Sequence, residues 1–192
     1  MPGDTTTYAS LHDVELCRFA VSGEGRAFGE LVRRHGSGVR TLLRRMGAQP
    51  AEADDVAQDA FLTAFERIAE FRGEGAFAGW VKRIAARLYL GRLKRDRRLK
   101  ALDDAGIDLE TPGEADEPGD RLDLDEALKG LSTAERLCVS MCYGAGLSHN
   151  EAAEALNLPL GTVKSHVKRG LDKLKARLSS DGAAMEGSRS HG

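Results

Sequence analysis

The sequence predicts an all-α protein of two small helical domains joined by an acidic flexible linker. Apolar residues recur at three- and four-residue spacing through most of the 192 residues, as in amphipathic helices, and no segment shows the apolar-polar alternation of a half-buried strand. Residues 101–122 combine proline, glycine and acidic residues with few large apolar side chains, so they can bury little surface. We therefore expect domains at 1–100 and 123–178, a linker at 101–122 and a disordered tail at 179–192.

The first domain should be a bundle of helices, with the first two at 11–21 and 27–46. Pro50 suits the first turn of a third helix, because the N–H that proline lacks would have no helical partner there. A glycine-bearing loop at 71–76 precedes a fourth helix, on which Trp80 is expected to pack in the core. The apolar stripes of these two helices are Val56, Ala57, Ala60, Phe61, Ala64, Phe65 and Ile68, and Phe77, Trp80, Val81, Ile84, Ala85 and Leu88.

The second domain should begin with helices near 122–129 and 134–143. A further helix is expected to start at Ser148, because Ser148 and Glu151 form the S-x-x-E pattern. In this pattern the serine hydroxyl and the glutamate bind backbone N–H groups that have no helical partner. Asn157 tolerates the left-handed conformation better than most residues, which predicts a sharp turn at the end of this helix.

A last helix should follow the turn and complete a helix-turn-helix. Pro159 can be its first residue, and the spacing of Val163 and Val167 places both of them inward. Ammonium and hydroxyl groups can bind phosphates and arginine can pair with guanine, so a basic outward face suits the DNA major groove. The outward residues are Thr162, Lys164, Ser165, Lys168 and Arg169.

The net charge of −2 conceals three charged blocks. Residues 82–100 carry nine basic residues against one acid, a net charge of +8, and residues 161–177 carry a net charge of +5. Between them, residues 101–126 carry eleven acids against one arginine, a net charge of −10. Two cationic blocks indicate binding to a polyanion such as nucleic acid, although each block alone is also typical of a solvated helix face.

Several other classes of protein are disfavoured. Cys17, Cys138 and Cys142 form no C-x-x-C pair, so buried thiols are expected rather than a disulfide framework or a metal site. Motifs of a phosphate-binding loop, a nucleophile elbow or a metal cluster are not found, so we predict no enzyme, catalytic residue, metal or cofactor. Short apolar runs and an N-terminus without a signal-peptide pattern predict a cytoplasmic protein that does not insert into membranes.

Three stretches of the chain, in this order and spacing, resemble the extracytoplasmic-function (ECF) sigma factors, the compact two-domain class of the sigma-70-like family. Residues 53–61 (ADDVAQDAF) resemble the family's helix that binds core RNA polymerase. Residues 77–85 (FAGWVKRIA), continuing into 93–98 (LKRDRR), resemble the helix that melts promoters and reads the minus-10 element. Residues 146–153 (GLSHNEAA) and 160–165 (LGTVKS) resemble the helix-turn-helix that reads the minus-35 element.

The resemblance implies a sigma2-like domain at 1–100, a sigma4-like domain at 123–178 and three sets of binding residues. The residues implied for core polymerase are Asp54, Asp55, Gln58, Asp59 and Leu62; the acids lie off the apolar stripe, although acids are also common at helix N-termini. The residues implied for single-stranded minus-10 DNA are Arg72, Lys82, Arg83, Arg87, Arg92, Lys94 and Arg95. Those implied for duplex minus-35 DNA are Ser148, Thr162, Lys164, Ser165, His166, Lys168 and Arg169.

The family's role implies a dissociable polymerase subunit that directs promoter-specific transcription initiation in a stress or envelope response. It also implies an anti-sigma factor, which could hold the protein near the membrane. The acidic linker is expected to restrain DNA binding by competing for basic surfaces. The alternative is a helix-turn-helix regulator of the response-regulator type, which would bind duplex operators without polymerase. Such a protein needs a receiver domain with strands, whereas residues 1–100 predict helices.

Overall fold

The computed structural model describes residues 8–71, 73, 76–103 and 122–188, and within these residues the chain forms helices and no strand. The all-α prediction is confirmed. The chain divides into two compact units, which we call the first unit (Met1–Arg44 and Ala48–Gly91) and the second unit (Arg45–Gly47 and Arg92–Gly192). The α-helices are α1 (Asp13–Val21), α2 (Gly25–Met46), α3 (Pro50–Glu66), α4 (Phe77–Asp103), α5 (Leu122–Lys129), α6 (Thr133–Val139), α7 (His149–Leu156) and α8 (Leu160–Ser188).

An aromatic cluster joins α2, α3 and α4 in the first unit. Phe28 meets Phe61, Phe65 and Phe77 edge to face, with ring centroids 6.5, 5.0 and 6.4 Å away. Such pairs stabilise a core beyond the burial of their area. The predicted stripes of α3 and α4 are buried at Val56, Ala57, Ala60, Phe61, Ala64, Ile68, Phe77, Val81, Ile84 and Ala85.

Arg34 of α2 attaches the N-terminal segment to the first unit. Its guanidinium donates hydrogen bonds to Glu30 at 2.8 Å and to Asp13 of α1 at 3.0 Å. Hydrogen bonds from Arg33 and Arg34 lower the pKa of Glu30 to about 2, so this carboxylate stays ionised. The same guanidinium donates to the backbone carbonyls of Tyr8, Ala9 and Leu11.

The second unit contains α5 to α8. The helix predicted near 134–143 is observed as α6 followed by one π-helical turn, Ser140–Gly144. In a π-helical turn the backbone hydrogen bonds join residues five apart instead of four. The spacing of apolar residues does not reveal such a local change. A hydrophobic cluster connects α5, α6 and α8 through Ala127, Leu128, Leu131, Val139 and Leu174, with Leu171 packed against it.

Three boundaries differ from the sequence-based expectation. α4 continues to Asp103, beyond the expected start of the linker, and the two units divide inside α4 at Gly91 rather than at residue 100. α8 continues to Ser188, through most of the expected disordered tail. Extension of α8 does not require a new nucleation event. The residues AAME before Gly187 also have high helix propensity. Most of the predicted linker (104–121) and residues 189–192 lie outside the described residues.

Candidate nucleic-acid interface

The helix-turn-helix begins and turns as the sequence predicts. Ser148 caps α7: its hydroxyl accepts a hydrogen bond from the Glu151 N–H at 3.2 Å, and the Glu151 carboxylate accepts one from the Ser148 N–H at 2.8 Å. Asn157 ends α7 in the left-handed conformation, with φ 56° and ψ 47°. Pro159 lies before α8, and its carbonyl accepts hydrogen bonds from two N–H groups of the first turn. It therefore caps α8, and the prediction that it is the first helical residue is wrong.

α8 buries one face and exposes a basic one. Val163 and Val167 are buried, as predicted. Lys164 and Lys168 are exposed and lie one helical turn apart, which places them on the same side of the helix. The predicted minus-35 residues on α8 are exposed at Lys164, Ser165, Lys168 and Arg169 and half-buried at Thr162 and His166.

Several predicted minus-35 residues also have partners within the chain. The Ser148 hydroxyl donates to the Glu151 carboxylate at 2.9 Å, in addition to its role as a cap. The Ser165 hydroxyl donates to the backbone carbonyl four residues earlier at 2.9 Å. Arg169 Nη2 lies 3.1 Å from His166 Nδ1. The sequence pattern does not show these local contacts, which depend on the side-chain conformations in the folded helices.

Glu135 of α6 is a residue of this region that sequence reasoning misses. It is 4% exposed and accepts hydrogen bonds from the Ser132 N–H at 3.1 Å and from Lys173 Nζ at 2.8 and 3.1 Å. Arg169 Nε lies 3.8 Å from the same carboxylate. Burial alone would raise the pKa of Glu135, but the hydrogen bonds from Lys173 and Ser132 hold it below its ordinary value. The S-x-x-E pattern from Ser132 could have identified the cap, but not the partners on α8.

α8 crosses α6 closely at Gly170. A Cβ atom added there would lie 2.7 Å from Val139 Cγ2 and 3.6 Å from Glu135 Cβ, and real Cβ atoms do not approach a buried methyl group so closely. The absence of a side chain at Gly170 is therefore what allows α8 to lie directly on α6.

Gly170→Ala is expected to destabilise the second unit relative to the control variant Gly161→Ala. Alanine favours a helix more than glycine does at both positions, but a Cβ at Gly161 meets nothing within 4 Å. Overpacking at Gly170 should make the free energy of unfolding about 1–3 kcal/mol lower than in the control. Urea titration monitored by circular dichroism measures both values, and equal stabilities would contradict the close crossing.

The basic residues of α4 lie outside its buried stripe. In the first unit Arg83 and Arg87 are exposed and Lys82 is half-buried; in the second unit Lys94 and Arg95 are exposed and Arg92 is half-buried. The predicted contact residue Arg72 lies outside the described residues. Each unit therefore carries accessible cations on its own part of α4.

Trp80 packs at the edge of the core. Its ring centroid lies 5.4 Å from that of Phe71 and 5.8 Å from that of Phe77. Phe77 is buried, whereas Phe71 and Trp80 are half-buried. Trp80 thus takes part in core packing, as expected, while part of its side chain stays accessible.

α3 exposes a face of acids with a leucine among them. Asp54, Asp55, Gln58 and Asp59 are exposed, and Leu62 on the same helix is 55% exposed. The Asp54 carboxylate lies 3.5 Å from Arg40 Nε, a distance typical of a weak surface ion pair. An exposed large apolar side chain that follows a row of polar residues is the arrangement of an interface anchor with a polar rim.

The cysteines are placed as buried or half-buried thiols. Burial raises the pKa of Cys138 to about 12 and that of Cys17 to about 12, so both are neutral at physiological pH; Cys142 is half-buried. In the part of the chain that the structure describes, no group of three or more His, Cys, Asp or Glu side chains could hold a metal ion. None of the described helices is long and apolar enough to cross a membrane.

Two family models match the chain. The model for sigma-70 region 2 matches residues 31–99, which include α3 and most of α4. The model for sigma-70 region 4 matches residues 127–176, which include α6, α7 and the basic part of α8. Together they cover more than half of the chain.

Individual sigma factors match over most of the chain. The RNA polymerase sigma factor NccH of Alcaligenes xylosoxydans xylosoxydans is 33% identical over 88% of this chain and 95% of its own length. The ECF RNA polymerase sigma factor SigE of Mycolicibacterium smegmatis is 32% identical over 93% of this chain and 70% of its own length. A structure of CnrH in complex with the cytosolic domain of CnrY is 30% identical, with a TM-score of 0.52, and covers 88% of this chain and 98% of that one.

Sigma factors are not known as enzymes. The two matched regions contain the acidic residues of α3, the basic residues of α4 and the helix-turn-helix of α7 and α8. This chain belongs to the ECF sigma-70 family and is an RNA polymerase sigma factor that directs transcription initiation.

Proposed function

We propose that this sigma factor reads two promoter elements with two different surfaces. α8 reads the minus-35 element as duplex DNA, and α4 with the loop before it melts and reads the minus-10 element as a single strand. The observation that carries the proposal is the structure of α8, where Val163 and Val167 are buried and Lys164 and Lys168 are exposed.

The α8 surface fits a major groove. The left-handed turn at Asn157 connects α7 to α8, so α8 takes the position of the recognition helix in a helix-turn-helix. Lys164 and Lys168 would bind phosphates, which supports affinity and register, while Arg169 could pair with guanine and supply sequence preference. The other contacts would come from Ser148, Thr162, Ser165 and His166.

Single-stranded DNA requires cations along its backbone and a place for unstacked bases, and α4 with the loop before it is proposed to supply both. Arg83 and Arg87 are exposed, and the half-buried rings of Phe71 and Trp80 lie with their centroids 5.4 Å apart. Stacking is worth about 1–3 kcal/mol per base, so capture of a few bases would open the promoter without ATP. The other residues proposed to bind minus-10 DNA are Arg72, Lys82, Arg92, Lys94 and Arg95.

The face of α3 is proposed to bind core RNA polymerase. Its acids, Asp54, Asp55 and Asp59 with Gln58, would meet a basic surface and determine the rate and register of binding more than the affinity. Leu62 is the apolar residue on this face and would supply the buried anchor.

We also propose that an anti-sigma factor controls release of this chain to the polymerase, in a stress or envelope response. The support is the relative CnrH, which has been solved with the cytosolic domain of CnrY. The protein would act in the cytoplasm, and its anti-sigma factor could hold it near the membrane. No catalytic residue, cofactor or metal is part of this proposal.

The alternative is a response-regulator type of DNA-binding protein. Such a protein needs a receiver domain in which strands carry a phosphoacceptor aspartate. The described residues of the first unit are helical, and much of this unit matches sigma-70 region 2. Both observations favour the sigma factor.

In vitro transcription from a library of random promoter sequences tests the proposal. The purified chain with core RNA polymerase should enrich templates that carry two short elements at a fixed separation, and core polymerase alone should enrich none. Enrichment of a single element would overturn the assignment of two reading surfaces.

A further inference from the structure

Glu135 connects α6 to the basic face of α8 at the point where the two helices cross. Its carboxylate is almost completely buried and lies 2.8 Å from Lys173 Nζ and 3.8 Å from Arg169 Nε. The Cβ atom of Glu135 is also 3.6 Å from the position that a Cβ at Gly170 would occupy. The Glu135 carboxylate therefore lies where α6 meets α8, between Arg169, which precedes the crossing, and Lys173, which follows it.

The Arg169 guanidinium contacts two side chains, those of Glu135 and His166. Its Nε faces Glu135, and its Nη2 lies 3.1 Å from His166 Nδ1. Neither contact uses Nη1, and the side chain is more than half exposed. An arginine pairs with guanine through two N–H groups in a fixed plane, so a guanidinium that is already oriented loses less entropy on binding.

Glu135 also reduces the positive charge that α8 offers to any DNA. Cations that bind phosphates increase the affinity for all sequences alike and make it more sensitive to salt. An ionised acid beside Arg169 and Lys173 lowers this sequence-independent attraction. Glu135 thus orients Arg169 and partly neutralises Arg169 and Lys173. Both effects favour discrimination between DNA sequences over affinity for DNA in general.

We propose that Glu135 is a positioning residue for promoter discrimination, which acts by orienting Arg169 of the minus-35 helix. This inference rests on the proposed reading of the minus-35 element by α8. Glu135 does not itself touch DNA; its effect passes through Arg169. Lys173, although closer to the carboxylate, serves to hold the buried charge.

The test uses the full chain in holoenzyme, on two promoters that differ only in the minus-35 element. One promoter carries the element selected by the wild-type holoenzyme from the random library, and the other carries its scrambled version. The measured quantity is the ratio of the two affinities at several salt concentrations, for the wild type, Glu135→Gln, Arg169→Ala and the double variant. Glu126→Gln is the matched control, because Glu126 is an exposed acid paired with Lys129 at 3.0 Å on α5.

Glu135→Gln is expected to reduce the affinity ratio by about fivefold, within the range of one lost base contact. Affinity for the scrambled promoter should persist, with a salt slope steeper by about one phosphate contact. In the Arg169→Ala background the same substitution should reduce the ratio no further. The control Glu126→Gln should match the wild type.

Lys173→Met separates orientation from simple destabilisation. This variant removes the closer cation of the pair but keeps the contact between Glu135 and Arg169, so discrimination should stay near the wild-type value even where thermal stability falls. An unchanged ratio in Glu135→Gln, or an equal loss in the Arg169→Ala background, would overturn the proposal. A wild-type holoenzyme that ignores the minus-35 sequence would instead overturn the proposed function, and this inference with it.

Discussion

Leu62→Arg is expected to weaken binding of the chain to core RNA polymerase by about 30-fold or more, the effect of losing one interface hot spot. Leu62 is 55% exposed on the acidic face of α3, so the substitution should not disturb folding. It replaces an apolar anchor by a cation where the proposed partner surface is itself basic. Competition for core polymerase against a fluorescently labelled wild-type chain measures the change.

Val21→Arg is the matched control for this experiment. Val21 is 54% exposed and lies in the same unit at the end of α1, outside the proposed polymerase-binding face. It should compete as well as the wild type. Equal losses in both variants would mean that α3 is not the polymerase-binding surface.

The double variant Lys164→Glu/Lys168→Glu is expected to lower transcription from a minus-35-dependent promoter by about 30-fold or more. Each lysine is proposed to bind a phosphate, so the double variant loses two phosphate contacts, and reversal of charge adds repulsion from the DNA. Both lysines are exposed on α8, so the fold should persist. Run-off transcription at a fixed holoenzyme concentration measures the loss.

Lys175→Glu tests how far the DNA-binding face extends along α8. Lys175 is exposed on the same helix, seven residues after Lys168, or about 10 Å at the helical rise. It should reduce transcription far less than the double variant. A comparable loss in Lys175→Glu would indicate general electrostatic attraction in place of a defined recognition surface.

The elements that the sequence predicts well are those determined by local chemistry. Pro50 starts α3, Ser148 caps α7, and Asn157 adopts the left-handed turn. In each case the residue's own backbone preference or hydrogen-bonding capacity decides the outcome. The polar composition of residues 179–192 predicts a disordered tail, whereas α8 continues to Ser188; adding residues to a helix that already exists avoids the cost of nucleation.

For the candidate site, the sequence likewise predicts which residues lie on the surface of a helix but not which residues from other helices contact them. Spacing identifies which residues of α8 face outward, and the structure places Lys164 and Lys168 there. Spacing cannot identify Glu135, whose partner Lys173 is 38 residues away in sequence. Nor can it identify Arg34, which binds backbone carbonyls more than 20 residues away. Both are buried or half-buried charges whose partners come from tertiary structure.

The most direct test of whether these surfaces act as parts of the polymerase is a comparison of two affinities for a selected promoter. One is measured for the chain alone and the other for the holoenzyme, at the same salt concentration. The chain alone should bind weakly, with steep salt dependence and little preference between the selected and scrambled promoters. The holoenzyme should bind the selected promoter tightly and discriminate against the scrambled one. Tight, sequence-specific binding of the duplex by the chain alone, unchanged by core polymerase, would contradict the account.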